Sequence, residues 1–291
     1  METFFQLIIS GLTLGSIYGL IGLGFTLIFR ASKIINFAQG EFVMLGGVIT
    51  ACLIKSGFPY FISAIIAISI VIAVGMLFQL LVLRPIKDAP LLILIMITVG
   101  GSIFISNTTG IVLNTLPQAL PPFIKMPPII LSGIVISSQT IWVWVATALL
   151  LIILYIIAKY TIIGKAIEAS AEDSLGAALL GINQNLMMML AFGISGAIGA
   201  IAGIFVTPIF FIKYNSGIIL GLKGFVGAIV GGWGKYSGAI LGGILIGVAE
   251  SLSLAFISAG YKDAVIFGIL LVILSIRPKG ILGSTEMDER L

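Results

Sequence analysis

The sequence has no histidine and a single cysteine, Cys52. These two absences exclude an internal disulfide framework, a Cys/His zinc site, a haem histidine and any Ser-His or Cys-His nucleophilic dyad. Charge is scarce too. Only 9% of the 291 residues are Asp, Glu, Lys or Arg, against about 25% in a soluble domain, too few to cover a water-facing surface. The chain is instead 59% apolar, with several runs of about twenty residues, the length that crosses ~30 Å of hydrocarbon. These counts place it in a bilayer and leave little with which to do covalent chemistry.

The runs 4–29, 34–54, 61–83, 91–113, 141–158, 187–211, 238–257 and 265–276 read as membrane spans. The first reads as a retained span and not a cleaved leader, since no Lys or Arg precedes it and no small-residue cleavage site follows. A shorter apolar piece, 224–232, reads as half of a broken helix, a re-entrant segment, or part of a longer span with the glycine-rich stretch after it. The expected fold is therefore all-α: one polytopic membrane helix bundle over 1–291, with eight or nine spans. It is also rich in glycine, with 36 of them spread through the apolar runs. Small residues recur four apart at Gly11, Gly15 and Gly19, at Gly199 and Gly203, and at Gly234, Gly238 and Gly242, a spacing that suits close helix packing in lipid.

With 224–232 counted as a crossing, the 15 basic residues divide ten to five. Arg30, Lys33, Arg84, Lys87, Lys159, Lys165, Lys235, Arg277, Lys279 and Arg290 fall on one side; Lys55, Lys125, Lys213, Lys223 and Lys262 fall on the other. The positive-inside rule puts the first side in the cytoplasm, with the N-terminus outside and the C-terminus inside. The net charge of +4 follows from the same rule and gives no reason to expect nucleic acid as a partner. The outer loop 114–140 holds five of the ten prolines and reads as a stiff, extended segment, either a connector or a docking surface for an extracytoplasmic partner. The tail 286–291 reads as solvated.

The inner loop 159–185 is too polar to span and too regular to be a linker. Ile163, Ala166, Ile167 and Ser170 share one helical face, and Leu175, Ala178, Leu179 and Ile182 repeat the spacing, which predicts two short helices with Ala and Gly toward solvent. Asp173 or Ser174 is placed to cap the second, and Gly181 to end it. Such a pair either fits a groove on a cytosolic protein or lies on the membrane surface. Two acids fall inside spans, Glu41 and Glu250, where each costs about 2.5–3.5 kcal/mol on insertion scales. Both are candidates for the translocation path: with Asn36 and Gln39, Glu41 either lines a water-filled path, where it meets a substrate ammonium or stabilises a gate, or bonds backbone groups exposed by nearby glycines. The chain contains no G-x-x-x-x-G-K-[ST] phosphate loop, so its energy comes from another chain or from a gradient.

Four motifs in order, INFAQGEF at 35–42, GKAIEASAEDSLGAALLGIN at 164–183, GGWGKYSGAILGG at 231–243 and RPKGILG at 277–283, resemble those of ABC-importer permeases of the branched-chain amino-acid, LivH type. The likeness covers essentially the whole chain. It implies a permease subunit working with a second, related permease, two cytosolic ATPases and an extracytoplasmic substrate-binding protein, with no cofactor and no metal. It also implies that the inner loop couples to the ATPases through Gly164, Ala166, Glu168, Ala169, Asp173, Ala177, Gly181 and Ile182. Two positions depart from the family pattern: Glu168 stands where a basic residue is usual and Gln39 where a histidine is usual. The expected cargo is a branched-chain or similar hydrophobic amino acid. A urea or short-chain amide importer permease is the nearest alternative, and a stand-alone secondary transporter or channel is the alternative of another class.

Overall fold

Without water, an apolar run satisfies its backbone groups by coiling, and the chain is helical almost throughout. The structure is a computed structural model that describes residues 2–283 apart from 88, 114, 125 and 132. In order, the helices are α1 (Glu2–Ser32), α2 (Gln39–Lys55), α3 (Tyr60–Leu77), α4 (Leu91–Leu113), α5 (Ser138–Tyr160), α6 (Ile162–Glu172), α7 (Ser174–Leu179), α8 (Gln184–Val206), α9 (Ser216–Gly232), α10 (Tyr236–Phe256) and α11 (Lys262–Ile276). Among the described residues, six stretches, α1, α3 with its extension to Ile86, α4, α5, α8 and α10, are long and apolar enough to cross a membrane. The extension widens to a π-helical turn at Phe78–Leu83 before a 3₁₀ turn at Arg84–Ile86. Pro85 accounts for it, because it offers no N–H and its ring displaces the carbonyl four residues back.

From Gly11 to Ala31, α1 is buried nearly throughout. Its closest neighbour is α10, and the contact is glycine against glycine. A Cβ at Gly11 would lie 2.6 Å from the Cα of Val248, and Cβ atoms at Gly15, Gly243 or Gly247 would overlap the opposite backbone. Here the four-residue spacing read from sequence does bring two backbones together. Around this pair stand α2, α8 and α9, while α3, α4 and α5 bury few residues and present apolar side chains outward.

At one end of the bundle lie α6 and α7, which we call the loop end. The far end carries a short antiparallel hairpin, β1 (Ile129–Leu131) with β2 (Ile134–Ile136), where an extended segment was expected. Of that outer loop, Asn114 and Lys125 lie outside the described residues, as does the tail that includes Arg290.

Three spans differ from their sequence-based limits. The helix expected from 34 begins only at Gln39, and the one expected to reach 211 stops at Val206. The short piece expected at 224–232 is the second half of the 17-residue α9, which extends toward the N-terminus and not into the glycine-rich stretch that follows. Lys223, assigned from sequence to an outer loop, is therefore inside a helix and buried.

Candidate functional site

Two non-helical segments, the first buried in the bundle and the second largely at its surface, both make contact with one face of α4. The first is 33–38. Lys33 takes φ +57°, the left-handed conformation that ends α1, and the chain then runs extended. The Asn36 side chain accepts from the Ala38 N–H at 3.1 Å, and the Phe37 N–H donates to Thr98 Oγ1 at 3.2 Å. The second is 207–215. Ile212 exchanges two backbone bonds with Gln118, at 2.8 and 3.0 Å, and Ser106 Oγ donates to the Tyr214 carbonyl at 2.7 Å. Irregular backbone at this depth persists only where such partners exist.

Between those contacts, Ser102 Oγ donates to Glu41 Oε1 at 2.9 Å. Thr98, Ser102 and Ser106 follow one another at four-residue intervals, a hydroxyl stripe down an otherwise apolar helix. Ser102 lies at the middle of α4, so Glu41, in the first turn of α2, lies halfway through the bundle. Its carboxylate is fully buried and abuts the first turn of α9. A Cβ on Gly217 would come within 2.6 Å of the carboxyl carbon. Glu41 Oε2 has no hydrogen-bond partner among the described residues, and neither has the buried Asn36 Nδ2.

The other sequence-predicted residues do not join this group. Gln39 points the opposite way, wedged between α1 and α8. Its Nε2 donates to the Ser195 carbonyl at 3.2 Å, and Ser195 Oγ lies 2.7 Å from Gln39 Oε1 and 2.9 Å from the Gly24 carbonyl. Glu250, on α10, belongs to a separate charge cluster. It is ion-paired with Lys223 of α9 and accepts from Tyr18 Oη at 2.6 Å. Lys223 also pairs with Asp263 at the start of α11, at 3.2 Å. Lys223, Tyr18 and Asp263 were missed in sequence reading, although a lysine centred in an apolar run is a signal in itself.

At the loop end both short helices are present. Thr161 caps α6 by accepting from the Gly164 N–H at 3.1 Å. Asp173, of the two expected candidates, caps α7, accepting from the Leu175 and Gly176 N–H groups at 3.1 and 3.0 Å. Gly181 takes φ +82°, as expected of a helix-ending residue. Gly164, Ile167, Ser170 and Ala177 face inward, whereas Ala166, Ala169 and Ile182 are half-buried. The face of α7 differs from expectation: its small residue Ala177 is the seated one, and Leu175, Leu179 and Leu180 stand 79%, 90% and 82% exposed. Ile167 packs with Ala31 of α1 and Ala191 of α8. Glu168 is ion-paired with Arg30, whose guanidinium also covers the Tyr236 ring at 5.1 Å.

The fold and these features define a multi-pass membrane protein of the permease class: an all-α bundle with interrupted helices, buried intramembrane carboxylates and a patterned pair of short helices at one end. The chain belongs to the family described as the branched-chain amino acid transport system permease component, whose model matches residues 7–274. It is 35% identical to the high-affinity branched-chain amino acid transport system permease protein LivH of Salmonella typhimurium, over 98% of this chain and 97% of that one. It is 33% identical to BraD, the corresponding permease protein of Pseudomonas aeruginosa, over 98% of each. Among solved structures it resembles PsaBC from Streptococcus pneumoniae in complex with Fab, with a TM-score of 0.50 and 14% identity over 94% of this chain and 91% of that one, a likeness of fold.

Proposed function

We propose that the chain is the transmembrane permease subunit of an ATP-driven importer that carries branched-chain or similar hydrophobic amino acids across the cell membrane. The observation that carries this reading is the near-complete alignment with permease proteins of branched-chain amino acid transport systems. In this reading the partners are a second, related permease, two cytosolic ATPases and an extracytoplasmic binding protein. ATP is hydrolysed in those other subunits, in keeping with the absence of a phosphate loop from this sequence. The loop end faces the cytoplasm, supported by the placement of Arg30, Lys33, Lys159 and Lys165 there, with the N-terminus outside and the C-terminus inside. The helices α2, α9 and α11, shorter than the hydrocarbon is thick, complete their crossings with the segments before them.

The loop 159–185 receives the ATPase stroke. Its support is the exposed leucine ridge of α7, an apolar surface on the aqueous side that a partner protein would cover. Seated on α1 and α8 through Ile167, α6 carries the displacement into the bundle. The test is reconstitution of the chain with the second permease, the ATPases and the binding protein of its own source, followed by ATP-dependent accumulation of radiolabelled leucine. Accumulation that requires ATP and the binding protein, and that excess urea leaves unchanged, is the expected result. Competition by urea and not by valine or isoleucine would reverse the cargo assignment.

A further inference from the structure

The interrupted helices converge. The N-terminal turn of α2, which carries Glu41, meets the N-terminal turn of α9, which carries Gly217, halfway through the bundle. The first N–H groups of a helix have no intrahelical acceptor and concentrate about half a positive charge. No side chain caps the N-terminus of α9. Beside it lies a carboxylate oxygen, Glu41 Oε2, that is wholly buried and without a partner among the described residues. An unpaired acceptor and a set of uncapped donors side by side make a dipolar site, negative at one end and positive at the other.

We propose that this junction is the transit subsite for the α-ammonium and α-carboxylate groups of a free amino acid. Glu41 Oε2 takes the ammonium, the Gly217 and Ile218 N–H groups of α9 take the carboxylate, and Ser102 holds Glu41 Oε1 in place. The proposal rests on the importer reading and adds to it where in the chain the cargo is recognised and by which of its atoms. In this structure the two turns are closed on each other, Gly40 against Gly217 and Gly221, backbone against backbone, so cargo enters the subsite only when α2 and α9 part. A Cβ at Gly221 would lie 3.0 Å from the Cα of Gly40, so a side chain here would hold the two turns apart. The hydrophobic side chain of the cargo is left to the apolar residues that flank the junction.

The test is retention of radiolabelled leucine by the assembled membrane complex of two permeases and two ATPases in nanodiscs, with the binding protein left out. The competitor is 4-methylpentanoate, which keeps the carboxylate and side chain of leucine and lacks the ammonium. Leucine is expected to be retained saturably and preferred over the competitor by about ten- to hundredfold, the scale of one charge-assisted hydrogen bond. Glu41→Gln is expected to lower retention by a similar factor and erase the preference, and Glu41→Asp to fall between. Should Glu41→Gln fail to assemble, the wild-type preference decides alone. Equal retention of both compounds, no saturable retention of leucine, or unchanged leucine retention in Glu41→Gln would each overturn the subsite. A complex that still accumulates leucine with ATP in that case leaves the importer reading standing.

Discussion

Lys223 and Gln39 show how single polar side chains hold this bundle together, and they do so differently. Lys223 is buried against two carboxylates, and removing one partner of such a group strands the other charge in a low dielectric. Lys223→Met is therefore expected to destabilise the detergent-solubilised protein by about 3–5 kcal/mol. Lys223→Met combined with Glu250→Leu should recover part of that loss, seen as a rise in the temperature of aggregation. Gln39→Leu removes the amide from Ser195, whose hydroxyl keeps the Gly24 carbonyl, so the cost is that of a lost hydrogen bond, about 0.5–1.5 kcal/mol, and the same thermal assay applies. At this scale the sequence was partly legible. Intramembrane acids announce themselves, so Glu41 and Glu250 were found. Their partners were not, because Ser102 is an ordinary residue in a membrane helix and Tyr18 lies 232 positions from Glu250 in the chain. Gln39 was grouped with Glu41 because they are two apart, yet in a helix that spacing turns side chains by about 200°, which sends one to α1 and α8 and the other to α4 and α9.

Among the elements, α6 is the one whose attachments matter most. Its Arg30–Glu168 pair is partly exposed, and pairs of that kind contribute about 0–1 kcal/mol to stability. Its effect lies in tying the short helix to the end of α1 and, through Tyr236, to the start of α10. Glu168→Arg is expected to leave the melting temperature nearly unchanged while lowering leucine accumulated per ATP hydrolysed; Arg30→Glu with Glu168→Arg should restore much of that ratio. An unaltered ratio in the single variant would remove the pair from the transmission path. Helix α7 was legible down to its cap and its terminating glycine, since those signals are local. Its orientation was not, because whether a face with Leu175 and Leu179 turns inward depends on what lies beneath, and beneath it there is room only for Ala177. The breaks before α2 and α9 were expected, but their limits were misplaced for a related reason. Apolar sequence continues through Ile34 and Ile35, and what interrupts the helix is a set of hydroxyls on α4 that accept and donate in place of the ladder.

For the whole molecule, close packing runs through glycines between α9 and α10, between α2 and α8, and along a seam between α1 and α10. Gly247→Leu would drive a side chain into the backbone at Gly15 and is expected to abolish accumulation of folded protein in the membrane, whereas leucine at Gly268, where nothing lies within 4 Å, should be tolerated. Immunoblots of membrane fractions would separate the two. Composition alone predicted the membrane and the tight packing, and the four-residue spacing marked Gly11, Gly15 and Gly19 on the α1 side of this seam but not Gly243 and Gly247 across from them. It did not predict which pairs would meet, because a glycine repeat fits any partner with a matching repeat.

The exposed leucines of α7 also bear on how much of this protein a cell can hold. A chain made in excess of its partners displays Leu175, Leu179 and Leu180 to the aqueous phase, the sort of surface that membrane proteases and holdase chaperones engage. On the proposed reading, its abundance should therefore follow that of the ATPase that covers this ridge. Deleting the ATPase should shorten the lifetime of the wild-type chain, and Leu179→Ser with Leu180→Ser should lengthen it again. The ridge would then serve as the mark by which unassembled copies are removed.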